Sequence, residues 1–273
     1  MRILIATGGG AHSNLAVKMG AQIADAAGLE LTLMTVIKHE SEQAHAEAIL
    51  ASAEAMMDLG PGAVQSKIYI GNPAKKIILE AETGNYDLVI LGSRPTHTLL
   101  TRLLGSTAEW VIAHAHCPVL IVKGEPTPLQ RILLCVTAAE IPSQHTLFTA
   151  RLASLMDEPP EITVLHVMSQ IVAGPTAPGE WQLYANAAEL MQGSEPEGDM
   201  LRRDMMVLRR LDADVRPRVR HGPVVEEILN EARDGAYDLL VIGSHQARGW
   251  QRFLLEDLAH QIVVQVDRPV LVV

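Results

Sequence analysis

Two glycine-bearing stretches carry the residue types best suited to hold a small charged ligand. The first runs Thr7-Gly8-Gly9-Gly10-Ala11-His12-Ser13. The second runs Gly92-Ser93-Arg94-Pro95, then nine residues to Leu104, then Gly105-Ser106-Thr107. Glycine lets a backbone approach a ligand closely. A helix opened by Gly105-Ser106 would turn unpaired N–H groups and a hydroxyl toward an anion at its positive end. Arg94 could add a charge-assisted bond. The chemistry these residues suit is recognition of an anion, phosphate above all, mostly by backbone donors.

Other chemistries find less support. Gly8-x-Gly10-x-x-Ser13 approaches the dinucleotide fingerprint but lacks its last glycine, and Glu40 is loosely placed for the acidic partner. A flexible strand-to-helix turn explains the loop better than a dehydrogenase site. His114-Ala-His116-Cys117 has metal-ligand types, yet residues two apart on a helix point in different directions. There is no phosphate-loop lysine motif, no Gly-x-Ser-x-Gly elbow and no Cys-x-x-Cys. No residue stands out as a strong general base, so any turnover is expected to be slow and incidental.

The elements that must position these loops follow from hydrophobic periodicity. Ile3–Thr7, Leu31–Ile37, Val64–Ile70, Leu88–Leu91 and Val119–Val122 read as strands, several apolar on both faces. Helical spacing occupies 13–27, 42–58, 74–84 and 105–115. Alternating strands and helices imply an α/β fold: a parallel five-stranded sheet covered on both faces, doubly wound in the order 3-2-1-4-5. Ligands of such sheets bind beyond the carboxyl ends of the strands, where the order reverses between the first and fourth. Both glycine loops are expected there.

The pattern then repeats. Arg2-Ile-Leu-Ile-Ala-Thr7 returns 129 residues later as Arg131-Ile-Leu-Leu-Cys-Val-Thr137. Tyr86-Asp-Leu-Val-Ile-Leu-Gly-Ser93 returns 151 residues later as Tyr237-Asp-Leu-Leu-Val-Ile-Gly-Ser244, and Pro118-Val-Leu-Ile-Val122 as Pro269-Val-Leu-Val-Val273. The chain is thus read as two copies, residues 1–123 and 131–273, joined by a Pro-rich linker, 124–130. The second copy carries an insertion at about 169–199, expected to be a surface loop with one helix near 183–191. The alternative there is a lid or partner contact using Trp181 and Tyr184.

The spacing after the fourth strand resembles that of ATP-binding universal stress proteins: a glycine, two residues, a second glycine, nine residues, then Gly-Ser or Gly-Thr. Gly92, the spacer 96–104, Gly105 and Ser106 match, and Pro95 replaces the second glycine. The resemblance covers essentially the whole chain and implies an adenine nucleotide α-hydrolase-like fold, twice over. It also implies an adenine nucleotide, ATP with Mg, bound by Thr7, Gly8, Val36, Gly92, Arg94, Gly105, Ser106 and Thr107. Thr7 stands where the family has an aspartate; a hydroxyl lacks a carboxylate's two-oxygen grip on ribose. Pro95 removes a backbone donor and fixes φ. In the second copy Gln246, Glu256 and Asp257 replace the second glycine, third glycine and serine, and Thr137 again replaces the aspartate. Two carboxylates where phosphate would sit should repel it, so binding is expected in the first copy alone. The family's last strands pair across a dimer interface. In a tandem chain the two copies would pair as an intramolecular pseudo-dimer, with homo-oligomers open. A protein partner of unknown identity fits a regulatory role, and a scaffold of the same fold that binds no nucleotide is the alternative function.

Composition sets the outer bounds. Of 273 residues 48% are hydrophobic, only 3% aromatic and 20% charged, so Val, Ile, Leu, Ala and Met must fill the cores. A net charge of −10 with no basic stripe disfavours nucleic acid and anionic membranes. Two cysteines are too few for a disulfide framework, and no apolar run reaches the roughly 20 residues of a membrane span. The expected setting is cytoplasmic.

Overall fold

The computed structural model describes residues 1–60, 62–93, 104–137, 143–169, 184–243 and 251–273; Ala27 and 251–257 are described for backbone alone. The chain divides into two compact units. Unit 1 holds Met1–Pro128 with Asp267–Val272, and unit 2 holds Leu129–Val266 with Val273.

Unit 1 alternates strand and helix: β1 (Ile3–Ala6), α1 (Ala11–Ala27), β2 (Leu31–Ile37), α2 (Gln43–Ala55), β3 (Val64–Ile70), α3 (Pro73–Thr83), β4 (Leu88–Gly92), α4 (Ser106–His114) and β5 (Val119–Val122). Its parallel strands lie in the order β3-β2-β1-β4-β5. Ile3 sits in register with Leu31 on one side and Leu88 on the other, so the order reverses between β1 and β4 as the alternation implied. Ile3, Leu4, Ile5, Leu33, Leu88 and Ile90 are fully buried. Each such side chain contributes about 1.5–3 kcal/mol, and strands apolar on both faces require helices above and below.

Local chemistry sets the helix boundaries. Asn72 accepts the Lys75 N–H at 3.1 Å with Pro73 beginning α3, which fixes that start. α4 starts at Ser106 with Gly105 as its cap, and a short 3-10 turn, Glu40–Glu42, precedes α2.

Unit 2 repeats the plan with β6 (Arg131–Val136), α5 (Gln144–Ala153), β7 (Glu161–Met168), α6 (Ala187–Gln192), α7 (Pro196–Leu208), β8 (Val215–His221), α8 (Val224–Asp234), β9 (Leu239–Ile242) and α9 (Gln251–Gln265). Its parallel strands lie in the order β8-β7-β6-β9. The insertion holds α6, closed by a capping box between Asn186 and Glu189. Tyr184 is 81% exposed, and Trp181 lies outside the described residues.

The last strand, β10 (Val270–Val272), falls within unit 1, antiparallel to β5 with Leu271 opposite Leu120. Within unit 1, β5 and β10 thus pair with each other.

Each unit also holds a polar network that the repeat encodes. Glu80 is 3% exposed and accepts from Lys67 Nζ at 2.7 Å, Tyr86 OH at 2.8 Å and Tyr69 OH. Its counterpart Glu231 is 6% exposed and accepts from Tyr237 OH at 2.9 Å and from Arg220 and Arg218. The adjacent Asp87 accepts the Arg2 N–H, as Asp238 accepts the Arg131 N–H. The repeated Tyr-Asp pair therefore ties α3 and the first strand of unit 1 to β4, and the equivalents of unit 2 to β9.

Candidate functional site

At the carboxyl edge of the unit 1 sheet, β1 ends and its loop is knotted by two hydroxyls. Thr7 is buried, its N–H still bonded to Met34 O at 2.9 Å. Its Oγ1 accepts from Gly9 N–H at 3.2 Å and donates to Ser13 Oγ at 3.3 Å. Ser13 Oγ in turn accepts from Gly8 N–H at 3.3 Å and donates to Gly10 O at 2.8 Å. Gly9 sits at φ +72°, in the left-handed region, so the turn needs a residue without Cβ. Thr7 is thus a residue that shapes the loop; one lone pair of its hydroxyl remains.

Gly92 closes on this loop from β4. A Cβ on it would lie 2.0 Å from His12 O and 2.8 Å from Ser13 N, so the first turn of α1 and the end of β4 meet backbone to backbone. Ser93, next along, is buried and bonds Val122 O through its N–H at 3.0 Å. Val36, half-buried near the end of β2, lies at the same edge.

The beginning of α4 completes the edge, since α4 leads from β4 to β5. Leu104 is buried, whereas Gly105 and Ser106 are exposed and Thr107 is half-buried. Gly105 caps the helix with no side-chain bond, and nothing lies within 4 Å of where its Cβ would stand. Among the described residues no side chain caps the start of α4, a setting suited to an anion. Gly8 likewise faces open space. Thr7, Gly8 and Gly92 are brought together directly, with Val36, Gly105, Ser106 and Thr107 along the same edge. Arg94 and Pro95 lie outside the described residues.

Unit 2 is built differently at the matching edge. Gly243 again allows a close approach, here to the His145 ring, 2.9 Å from Nδ1 to a built Cβ. The start of α5 is capped by Ser143, whose Oγ accepts Thr146 N–H at 3.3 Å. Asp204 of α7, 1% exposed, accepts the Ser143 N–H at 3.4 Å. Burial pushes the Asp204 carboxyl up, against the hydrogen bonds from Thr146 and Ser143. At α1 the corresponding cap, Gly10, has no side-chain bond. Unit 2 thus sets one of its own carboxylates against a helix start that unit 1 leaves uncapped. Sequence reading missed Asp204, because nothing in the spacing of α7 distinguishes it from a solvated helix residue. His166, on β7, is also buried and lies 3.1 Å from Val136 O through Nδ1; burial lowers its pKa. Gln246 and the side chains of Glu256 and Asp257 lie outside the described residues.

The His114-x-His116-Cys117 stretch has ordinary partners. His114 ends α4, stacked on Trp110 at 4.1 Å with Nδ1 2.9 Å from Trp110 O, and His116 pairs with Glu82 at 2.9 Å. Among the described residues no three His, Cys, Asp or Glu side chains group to hold a metal ion. No described helix is long and apolar enough to cross a membrane.

Comparison with known proteins settles the ancestry. The profile of the universal stress protein family matches residues 1–123 and again 128–273. The chain belongs to the universal stress protein family. A universal stress protein of Mycolicibacterium smegmatis is 24% identical over 99% of this chain and 96% of its own length. Shorter matches are closer in sequence: 43% identity over 60 residues to a universal stress protein of Methanocaldococcus jannaschii, and 39% over 64 to one of Synechocystis. These matches span 35% and 56% of those relatives' lengths. Among solved structures, a universal stress protein of Archaeoglobus fulgidus superposes with a TM-score of 0.70 at 18% identity, covering 99% of this chain and 95% of that one. A Pseudomonas aeruginosa protein of unknown function gives 0.71 at 19%, covering 100% and 92%. The tandem α/β architecture is therefore that of the family.

Proposed function

We propose that unit 1 binds an adenine nucleotide, ATP with its Mg, over the carboxyl edge of its sheet, and that unit 2 does not. In this reading Gly92 lets the phosphates pass close to the β4 end. The N–H groups and hydroxyls of Gly105, Ser106 and Thr107 hold them at the start of α4, and Arg94 adds charge. Val36 and Gly8 line the nucleoside side, and Thr7 holds the loop in shape. The observation that carries the reading is the uncapped, exposed start of α4 beyond a glycine pressed against α1. Asp204, which accepts the Ser143 N–H at the start of α5, supports the asymmetry, because a side chain there occupies a helix start whose counterpart at α1 carries no side-chain cap. The Thr7 and Ser13 hydroxyls at the edge are bonded to each other, and in this reading the nucleotide serves as a regulatory signal rather than a substrate. A protein partner that reads the bound state, and a cytoplasmic setting, belong to the same proposal.

Calorimetric titration with ATP and Mg tests it. Binding to one site per chain, abolished by Gly105→Asp and untouched by Glu256→Ala, is the expected result. No heat at millimolar ATP, with no nucleotide released on denaturation, sinks it. The second reading, a nucleotide-free scaffold, is favoured by one observation: the Thr7 hydroxyl is already committed to Gly9 and Ser13.

A further inference from the structure

A groove of about 370 Å³ lies on unit 2, along α7 beside the end of α6. Three methionines, Met191, Met205 and Met206, and three arginines, Arg202, Arg209 and Arg210, line it. Met205 is buried and Met191 half-buried, giving an apolar floor, while Met206 stands 60% exposed beside it. Arg202 is held in place: its guanidinium donates to the carbonyls of Met191 and Gly193 and to Asp199. Arg209 and Arg210, in the turn after α7, are exposed, and neither side chain has an ion pair or hydrogen bond among the described residues. In a chain of net charge −10, two uncompensated guanidinium groups beside an apolar floor, with no carboxylate in the lining, are out of character. The negative end of the α7 dipole offsets about half a charge of this surplus.

We propose that this groove binds a small amphiphilic carboxylate, its chain lying on the methionines and its head between Arg209 and Arg210. Unbranched thioether side chains adapt their shape to an aliphatic chain. The guanidinium fork matches a carboxylate in geometry as well as charge. The volume lies near the lower end for small-ligand sites, which suits a chain of medium length. The site is separate from the nucleotide site proposed for unit 1 and does not depend on it.

Octanoate is the probe, read by the methyl resonances of methionine-labelled full-length protein, with Met206→Leu assigning one signal. Octanoate should shift the Met206 and Met191 methyls saturably; octylammonium, with the same chain and opposite charge, should not. The exposed pair Arg209→Ala and Arg210→Ala should weaken octanoate binding tenfold or more with an unchanged melting temperature. A saturable shift by octylammonium of equal strength, or no loss in the double variant, overturns the proposal. So does a concentration-dependent dimer that Met206→Asp abolishes, since the groove would then be covered by a second copy.

Discussion

The carbonyl oxygen of His12 occupies the space into which a side chain on Gly92 would grow, with a built Cβ 2.0 Å away. Because the obstacle is backbone, no rotamer change relieves it. Gly92→Ala should push the first turn of α1 away from β4 and cost about 1–3 kcal/mol in urea unfolding. It should also lower nucleotide affinity at least tenfold by calorimetry. Gly105→Ala, whose Cβ meets nothing within 4 Å, should leave stability nearly unchanged. Equal losses from both substitutions would contradict the packing described.

Glu80 and Glu231 make the second case. Burial alone would raise both carboxyls, but bonds from Lys67, Tyr69 and Tyr86, and from Arg220 and Tyr237, outweigh it and hold both below the ordinary 4.5. A carboxyl with a depressed folded pKa contributes stability above its unfolded value and loses it as pH falls. Denaturant midpoints should therefore drop steeply below about pH 4.5. Glu80→Ala should cost about 2–3 kcal/mol at neutral pH, the partial exposure of Lys67 moderating the loss. A variant with wild-type stability would mean the network holds nothing.

His166 titrates earlier. Burial lowers its pKa from 6.5, so the unfolded chain takes up the proton first as pH falls. Stability should be level above pH 6.5 from this group and decline below it, before the carboxylates begin to protonate. His166→Gln should flatten that shallow limb in thermal melts between pH 7 and pH 5 and leave the acid limb in place. An unchanged slope would show that His166 is protonated equally in both states.

The thiols should react in sequence. Burial pushes Cys117 up to about 11, and pushes the buried Cys135 higher still. At pH 8 a disulfide reagent should modify Cys117 slowly and Cys135 only on unfolding. One fast thiol in the native protein would place Cys117 in a more open setting than described.

Much of this was legible in advance because it lies in local patterns. The two-sided apolar run Leu31–Ile37 gave β2 its bounds, and Asn72-Pro73 gave α3 its start. Gly92 could be picked out as a point of close approach, although only the fold supplies His12 as its neighbour. Glu80 was hidden, since within Ile77-Ile78-Leu79-Glu80-Ala81 it reads as the solvent side of an amphipathic helix. Its burial follows from Lys67, Tyr69 and Tyr86, which arrive from elsewhere in the chain. Asp204 was hidden for the same reason: the groups that receive it, Ser143 and Thr146, lie about 60 residues away. Thr7 was legible as the odd residue of its loop, but its bonds to Gly9 and Ser13 needed the turn itself.

The antiparallel seam of Leu120 with Leu271 joins residues 151 positions apart. During synthesis the edge of β5 must therefore wait, unpaired and apolar, until the chain beyond residue 270 has been made. A nascent first unit would be the aggregation-prone stage in the life of this protein. A ribosome stalled inside the second unit should leave a species that chaperones hold, whereas a chain released after β10 should close by itself.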